Sequence, residues 1–368
     1  MMQKIIPVEG KPESMLHSLL AEAVESRPGE HVLIINSASD PCVPHLARRA
    51  GVGELVLAED SIAARTQAEA ALSEPSKDGL RLRHVAFHEY TKKEAPAQMD
   101  SAVMNILYQP NNAWMLYGVQ LAAFALKRGG RLYIEGAKDR GILSLGKRVQ
   151  EIFGNLETMA ISKGQRVICA VKQKEPTSAI AAPDLAAFAG GKMDEGTALL
   201  LEALDVHVTD NALDLGCGSG FIGAFLAERA NKGQVTLVDT SLTSVEAARR
   251  LLEERGLSNA RVLASDGTQV VRDQRFTLVA TNPPFHLGGL QTTAVAERFI
   301  REAAQVLLPR GRFYLVANRF LRYEPVCRAC FGEVREVAGN SRFKVLRASG
   351  RPQPVQDYDG EEILEQYE

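Results

Sequence analysis

Asn282-Pro283-Pro284-Phe285-His286 closes the apolar run Phe276 to Thr281. Proline fixes φ and has no N–H to donate, so a β-rich run that meets two prolines reads as a buried strand stopping abruptly. Asn282 is then held at a strand mouth. Its amide carbonyl and the backbone carbonyl of Pro283 are two acceptors, and Phe285 adds an aromatic face beside them. That combination suits an NH2 group on a planar ring. Alone, the same residues also make an Asn-Pro turn capped by a core phenylalanine. The choice for chemistry rests on a stretch that begins 68 residues upstream, at Asp214.

There Asn211 to Leu215 reads as a strand running through Asp214 into Gly216-Cys217-Gly218-Ser219-Gly220, followed by a helix from Phe221 to Glu228. Glycines between a strand and a helix allow a tight turn and let a ligand approach backbone N–H groups. The next strand, Val235 to Asp239, ends in an acid 23 residues after Gly216, placed to accept both hydroxyls of a ribose. A third strand, Ala260 to Ala264, ends at Ser265-Asp266-Gly267, where Asp266 can accept from an adenine amino group. Each carboxylate alone is equally a cap or a solvated turn residue. Three such features at successive strand ends read as one site, because open α/β sheets bind ligands at the carboxyl ends of their strands. The dinucleotide fingerprint needs a glycine at position 221, which is Phe221, so an NAD oxidoreductase is the minor reading.

The surrounding pattern supplies the elements. Strands are expected at 31–36, 54–59, 81–88, 101–107, 131–135, 156–161 and 166–171, with helices at 43–50, 61–72, 113–126 and 144–153 and a turn at Gly129-Gly130. This alternation indicates an α/β domain with a mainly parallel sheet closed by an antiparallel pair. The programme then repeats. Glu59 and Ser61 correspond to Asp239 and Ser241, Ile134 to Val316, and Phe153-Gly154 to Phe331-Gly332, at offsets of 180, 182 and 178. A steady offset argues for two copies of one domain. The first copy has Asn36-Ser37-Ala38-Ser39 where the second has its glycines, and Asn105 to Pro110 in place of the proline pair, so it reads as degenerate. The expected division is a degenerate domain at 1–175, a linker at 176–183, a catalytic domain at 184–351 and an acidic tail at 352–368.

Composition sets the outer limits. With 45% hydrophobic and 24% charged residues, the 368-residue chain is of ordinary globular type and long enough for two domains. No run reaches the roughly 18 apolar residues of a membrane span. The first residues, Met1 to Pro7, lack a signal-peptide core, and five scattered cysteines fit a reducing compartment, so a cytoplasmic, non-membrane protein is expected. Cys327 and Cys330 have CxxC spacing but no second ligand pair near in sequence, and are read as helix residues; no metal is expected.

Asp214 to Gly220, Asp239, Asp266 and Asn282 to Phe285 together resemble the class I S-adenosylmethionine methyltransferases that modify exocyclic amino groups. With His286, the long preceding lobe and Phe343-Lys344-Val345-Leu346-Arg347, the chain resembles the bacterial ribosomal RNA guanine-N2 methyltransferase family of RsmC type. The resemblance implies two tandem Rossmann-like methyltransferase domains, each a mainly parallel seven-stranded sheet flanked by helices. It implies S-adenosylmethionine as cofactor, with Gly216, Gly218 and Gly220 around its methionine part, Asp239 on the ribose and Asp266 on the adenine, and with Asp214 and Asn282 also among the cofactor-binding residues. Asn282 and the Pro283 carbonyl would orient guanine N2 against Phe285. Asp194 and Thr197 align with a family stretch near the site, yet Asp194-Glu195-Gly196-Thr197 before a helix is also an ordinary N-cap.

The implied partner is 16S ribosomal RNA, in the small subunit or an assembly intermediate, met by a monomer. A large-subunit guanine, a protein glutamine amide and a non-enzymatic RNA-binding role stay open at this point. Charge placement agrees with RNA. Residues 298–351 carry 12 basic and 4 acidic side chains, net +8, and residues 127–174 carry 11 and 4, net +7, although the whole chain is −2. The same arginines, interleaved with strands, are equally solvated faces.

Overall fold

The computed structural model describes residues 18–48 except 26, 52–72, 80–174, 192–284 and 293–351, and the backbone alone of 286–287 and 290–291. The expected linker at 176–183, the acidic tail at 352–368 and Phe285 lie outside the described residues.

The first lobe contains β1 (Glu30–Ile35), β2 (Val52–Glu59), β3 (Arg81–Ala86), β4 (Met99–Asn105), β5 (Leu126–Ala137), β6 (Glu157–Ser162) and β7 (Gln165–Val171). The second contains β8 (Asn211–Leu215), β9 (Gln234–Asp239), β10 (Ala260–Ala264), β11 (Phe276–Thr281), the short β12 (His286–Leu287) and β13 (Leu290–Gln291), β14 (Leu307–Asn318), β15 (Glu333–Gly339) and β16 (Phe343–Ser349). The sheet orders are β3-β2-β1-β4-β5-β7-β6 and β10-β9-β8-β11-β14-β16-β15, so the two lobes share one topology. Five strands of each sheet are parallel, and β7 and β16 enter antiparallel to both neighbours. The central strands are apolar along their length, as in Val32 to Ile35 and Leu278 to Ala280, because helices bury both faces of the sheet.

The expected elements form with one adjustment, at Gly129-Gly130. The strand expected after Gly129-Gly130 starts earlier, since β5 runs from Leu126 through the pair, with a register shift in which Met99 to Ser101 of β4 faces Leu126 to Arg131. Gly129 has φ +83°, and a Cβ on Gly130 would sit 2.9 Å from the Lys127 carbonyl, so the chain folds tightly at the pair and takes up three extra residues within the strand. Cys327 and Cys330 lie in the helix Glu324–Cys330 as expected, and no cluster of metal-ligating side chains occurs among the described residues. No described helix is long and apolar enough to cross a membrane.

The lobes meet where β2 and β9 end. Ser61 and Ser241 form an antiparallel bridge, the Ile62 N–H donates to the Thr240 carbonyl at 2.9 Å, and the Leu242 N–H donates to the Asp60 carbonyl at 2.9 Å. Corresponding residues, 180 positions apart, therefore face each other across a local two-fold relation.

Candidate functional site

A cavity of about 470 Å³ opens at the carboxyl ends of β8, β9, β10 and β11. Across the sheet its floor carries Asp266 and Gly267 after β10, Asp239 and Thr240 at β9, Gly216 and Gly218 after β8, and Asn282 and Pro284 after β11. Val295, Arg298 and Phe299 come from the helix Ala294–Val306, and Ser61 and Ala63 come from the first lobe. The glycine loop is shaped by contacts a side chain would break. Gly216 and Gly218 have φ of +74° and +53°, and a Cβ on Gly216 would lie 2.8 Å from the Phe299 ring. Gly220, also predicted to bind cofactor, does not line the cavity; with φ +86° it caps the helix Phe221–Arg229 and abuts Ala248.

Asp214 is likewise placed behind the cavity. Fully buried, it accepts the Gly223 N–H at 2.7 Å through Oδ2, while Oδ1 has no partner. Burial pushes its carboxyl up to about 7. Asp239 faces the cavity. Its Oδ2 accepts the Gly218 N–H and its Oδ1 the Ser241 N–H, both at 2.8 Å, which fixes the carboxylate and leaves one acceptor position on each oxygen. Enclosure raises it to about 6 against the two N–H bonds that favour the anion. Asp266 is held by Arg298, whose Nη2 lies 2.6 Å from Oδ1. Arg298 was counted in sequence among the RNA-facing bases; the structure places it in the cavity wall.

Asn282 is the best-constrained polar group at the β11 end. Its Nδ2 donates to Thr197 Oγ1 at 2.9 Å and to both oxygens of Asp194 at 3.1 and 3.3 Å. A carboxylate only accepts, so the NH2 must face Asp194 and the amide carbonyl Oδ1 is left as the acceptor. Asp194 also caps its helix by accepting the Thr197 N–H at 2.6 Å. The sequence alone marks Asp194 and Thr197 as an ordinary N-cap; in the structure Asp194 is a cap and the orienting partner of Asn282 at once. Only the 88-residue separation hid the second role. Pro283 is buried beside Asn282, and His286 has its backbone in β12 paired with Gln291.

At the corresponding place in the first lobe, side chains fill the space. Asn36 takes the left-handed conformation of Gly216, with φ 42°. Glu59 binds the Ala38 and Ser61 N–H groups, as Asp239 binds those of Gly218 and Ser241. Gln109, 4% exposed, lies over the strand mouths and donates to the carbonyls of Asn36 and Asn105, each at 3.1 Å.

The summed basic stretches overstate the basic surface. Arg312 is buried and chelated by Asp210 at 2.6 Å, Lys344 is buried on Glu324, and Lys172 is buried on backbone carbonyls of the first lobe. Lys127 pairs with Asp100 and Arg342 with Glu195, both at 2.6 Å. Lys138 and Lys147 remain exposed.

Comparison with known proteins agrees with this geometry. The family model of the methyltransferase small domain matches residues 181–347. The ribosomal RNA small subunit methyltransferase C of Pseudomonas putida is 32% identical over 314 residues, covering 79% of this chain and 92% of the relative. That of Hahella chejuensis is 44% identical over 161 residues, a match spanning 44% of this chain and about half of the relative, 46%. Among solved structures, the T. thermophilus 16S rRNA N2 G1207 methyltransferase (RsmC) in complex with AdoMet and guanosine superimposes with a TM-score of 0.75 at 31% identity, covering 90% of this chain and 91% of that one. With a full-length relative above 30% identity and the same two-lobed fold, the chain belongs to the ribosomal RNA small subunit methyltransferase C family.

Proposed function

We propose that the second lobe transfers a methyl group from S-adenosylmethionine to the exocyclic N2 of a guanosine in 16S ribosomal RNA. The observation that carries this reading is the fixed Asn282 amide, its NH2 committed to Asp194 and Thr197 and its carbonyl kept as an acceptor at the cavity. The cavity suits the cofactor because Asp239 retains two acceptor positions for two vicinal hydroxyls and a glycine loop borders it. The strand order β10-β9-β8-β11 then runs from adenine through ribose and methionine to the methyl acceptor.

The bound cofactor supplies an electrophilic methyl on a sulfonium. The chain supplies alignment. Guanine N2 is a poor nucleophile because its lone pair is delocalised into the ring. Accepting its two N–H groups at Asn282 Oδ1 and the Pro283 carbonyl favours a more pyramidal nitrogen and aims the lone pair. Such positioning contributes on the order of 7–11 kcal/mol. No strong base has to act first, since the proton leaves a far more acidic methylated nitrogen. Phe285 is assigned the base-stacking position next in sequence. The target must be unpaired or flipped out of its helix. All these residues belong to one chain, so a monomer suffices.

Transfer of label from tritiated cofactor should go to small-subunit rRNA. Label that appears instead in a glutamine-bearing release-factor protein would overturn the RNA assignment, since a primary amide presents the same amino group beside a carbonyl.

A further inference from the structure

The contact between lobes is nearly symmetric in backbone and asymmetric in what it covers. Each lobe sends the first turn of the helix after β2 or β9 against the strand ends of the other. In one direction Thr243, fully buried, donates its hydroxyl to Asp60 at 2.6 Å and lies 3.1 Å from His88 Nδ1. Glu59 pairs with Ala86 in the first sheet as Asp239 pairs with Ala264 in the second, so His88 occupies the position of Asp266. The second lobe thus closes the nucleoside end of the first lobe's obsolete site with a threonine. In the other direction the residue 180 positions before Thr243 is Ala63. Its N–H lies 3.3 Å from Thr240 Oγ1, and Ala63 and Ser61 line the cavity beside Asp239 and Asp266.

We propose that Ser61 and Ala63 of the degenerate lobe form the outer wall of the nucleoside half of the cofactor site. The inference rests on the methyltransferase reading above and extends it: the cofactor site is shared by both lobes. Alanine leaves open in the live site the room that threonine fills in the dead one. The bridge from Ser61 to Ser241 fixes the wall against the residue whose N–H donates to the Asp239 carboxylate. The wall touches adenosine and stands at the opposite end of the cavity from Asn282.

Calorimetry on the full-length protein with S-adenosylmethionine and with 5′-methylthioadenosine tests this. Ala63→Phe should weaken both ligands at least tenfold, Ala63→Ser should change them less than twofold, and Ala70→Phe, on the exposed side of the same helix, should leave them unchanged. The ligand-free melting temperature of Ala63→Phe should stay within that of Ala70→Phe. A folded Ala63→Phe protein that binds both ligands like the parent overturns the shared wall. So does a loss of affinity accompanied by an equal fall in ligand-free melting temperature, which would mark a purely structural role. A parent protein that binds neither ligand would instead refute the methyltransferase reading itself.

Discussion

Residue by residue, the proposed chemistry turns on the Asn282 amide, which Asp194 holds one way round. Asn282→Ala should abolish transfer while cofactor affinity stays within a fewfold, because the amide serves the acceptor amine and not the sulfonium; kcat and kcat/KM should fall together. Asp194→Ala leaves Asn282 only the Thr197 hydroxyl, which can donate or accept and so does not fix which way the amide faces, and losing a hydrogen bond to a charged group is worth about 1.5–3 kcal/mol. It should lower kcat by roughly tenfold to a hundredfold with cofactor Kd unchanged, whereas a variant with parental kcat would show that the orientation is set elsewhere. Asp214 gives a stability prediction. Its folded carboxyl titrates near 7, above the ordinary 3.8, so between those values the folded chain binds more protons than the unfolded one. Stability therefore falls as pH rises through that window. Asp214→Asn keeps an acceptor for the Gly223 N–H and should flatten part of the decline in melting temperature between pH 5 and pH 8. The place of Gly216, Gly218 and Asp239 on the cavity was legible because their spacing from a strand is local, whereas Gly220 and Asp214 share that spacing and lie behind it. The double role of Asp194 was not legible, because it depends on a contact 88 residues away.

At the scale of elements, period and punctuation located nearly every strand, since runs such as Val32 to Ile35 are buried on both faces and bounded by polar turns. The early start of β5 at Leu126 escaped because a glycine pair signals a break as readily as an irregularity inside a strand. The interlobe contact escaped as well: Asp60 and Thr243 look like ordinary residues flanking helix caps. In the structure Asp60 Oδ1 accepts both the N–H and the hydroxyl of Thr243, at 2.8 and 2.6 Å. Asp60→Ala would strand those buried donors and should cost about 1–3 kcal/mol in urea unfolding of the whole chain. A change confined to one lobe's transition would show that the contact is dispensable.

At the scale of the whole molecule, the repeat offset near 180 was enough to reveal a duplicated fold, and the missing glycines enough to mark one copy as degenerate. Net charge by segment was a poorer guide, because strands carry buried cations such as Arg312 and Lys344 that count toward a sum but not toward a surface. The set Lys138, Arg140, Lys147 and Arg148, in which Arg140 is half-buried and exposed Arg148 pairs with Glu151, is the first lobe's better candidate for phosphate contacts. Reversing all four to glutamate should weaken RNA binding and reduce its salt slope, with cofactor affinity unchanged. The central claim, that Asn282 directs a methyl group to guanine N2, is tested most directly by nucleoside mass analysis of small-subunit rRNA after reaction with methyl-labelled S-adenosylmethionine. The parent protein should place label in N2-methylguanosine and Asn282→Ala should place none; label at another atom, or an active Asn282→Ala protein, would refute that role of Asn282.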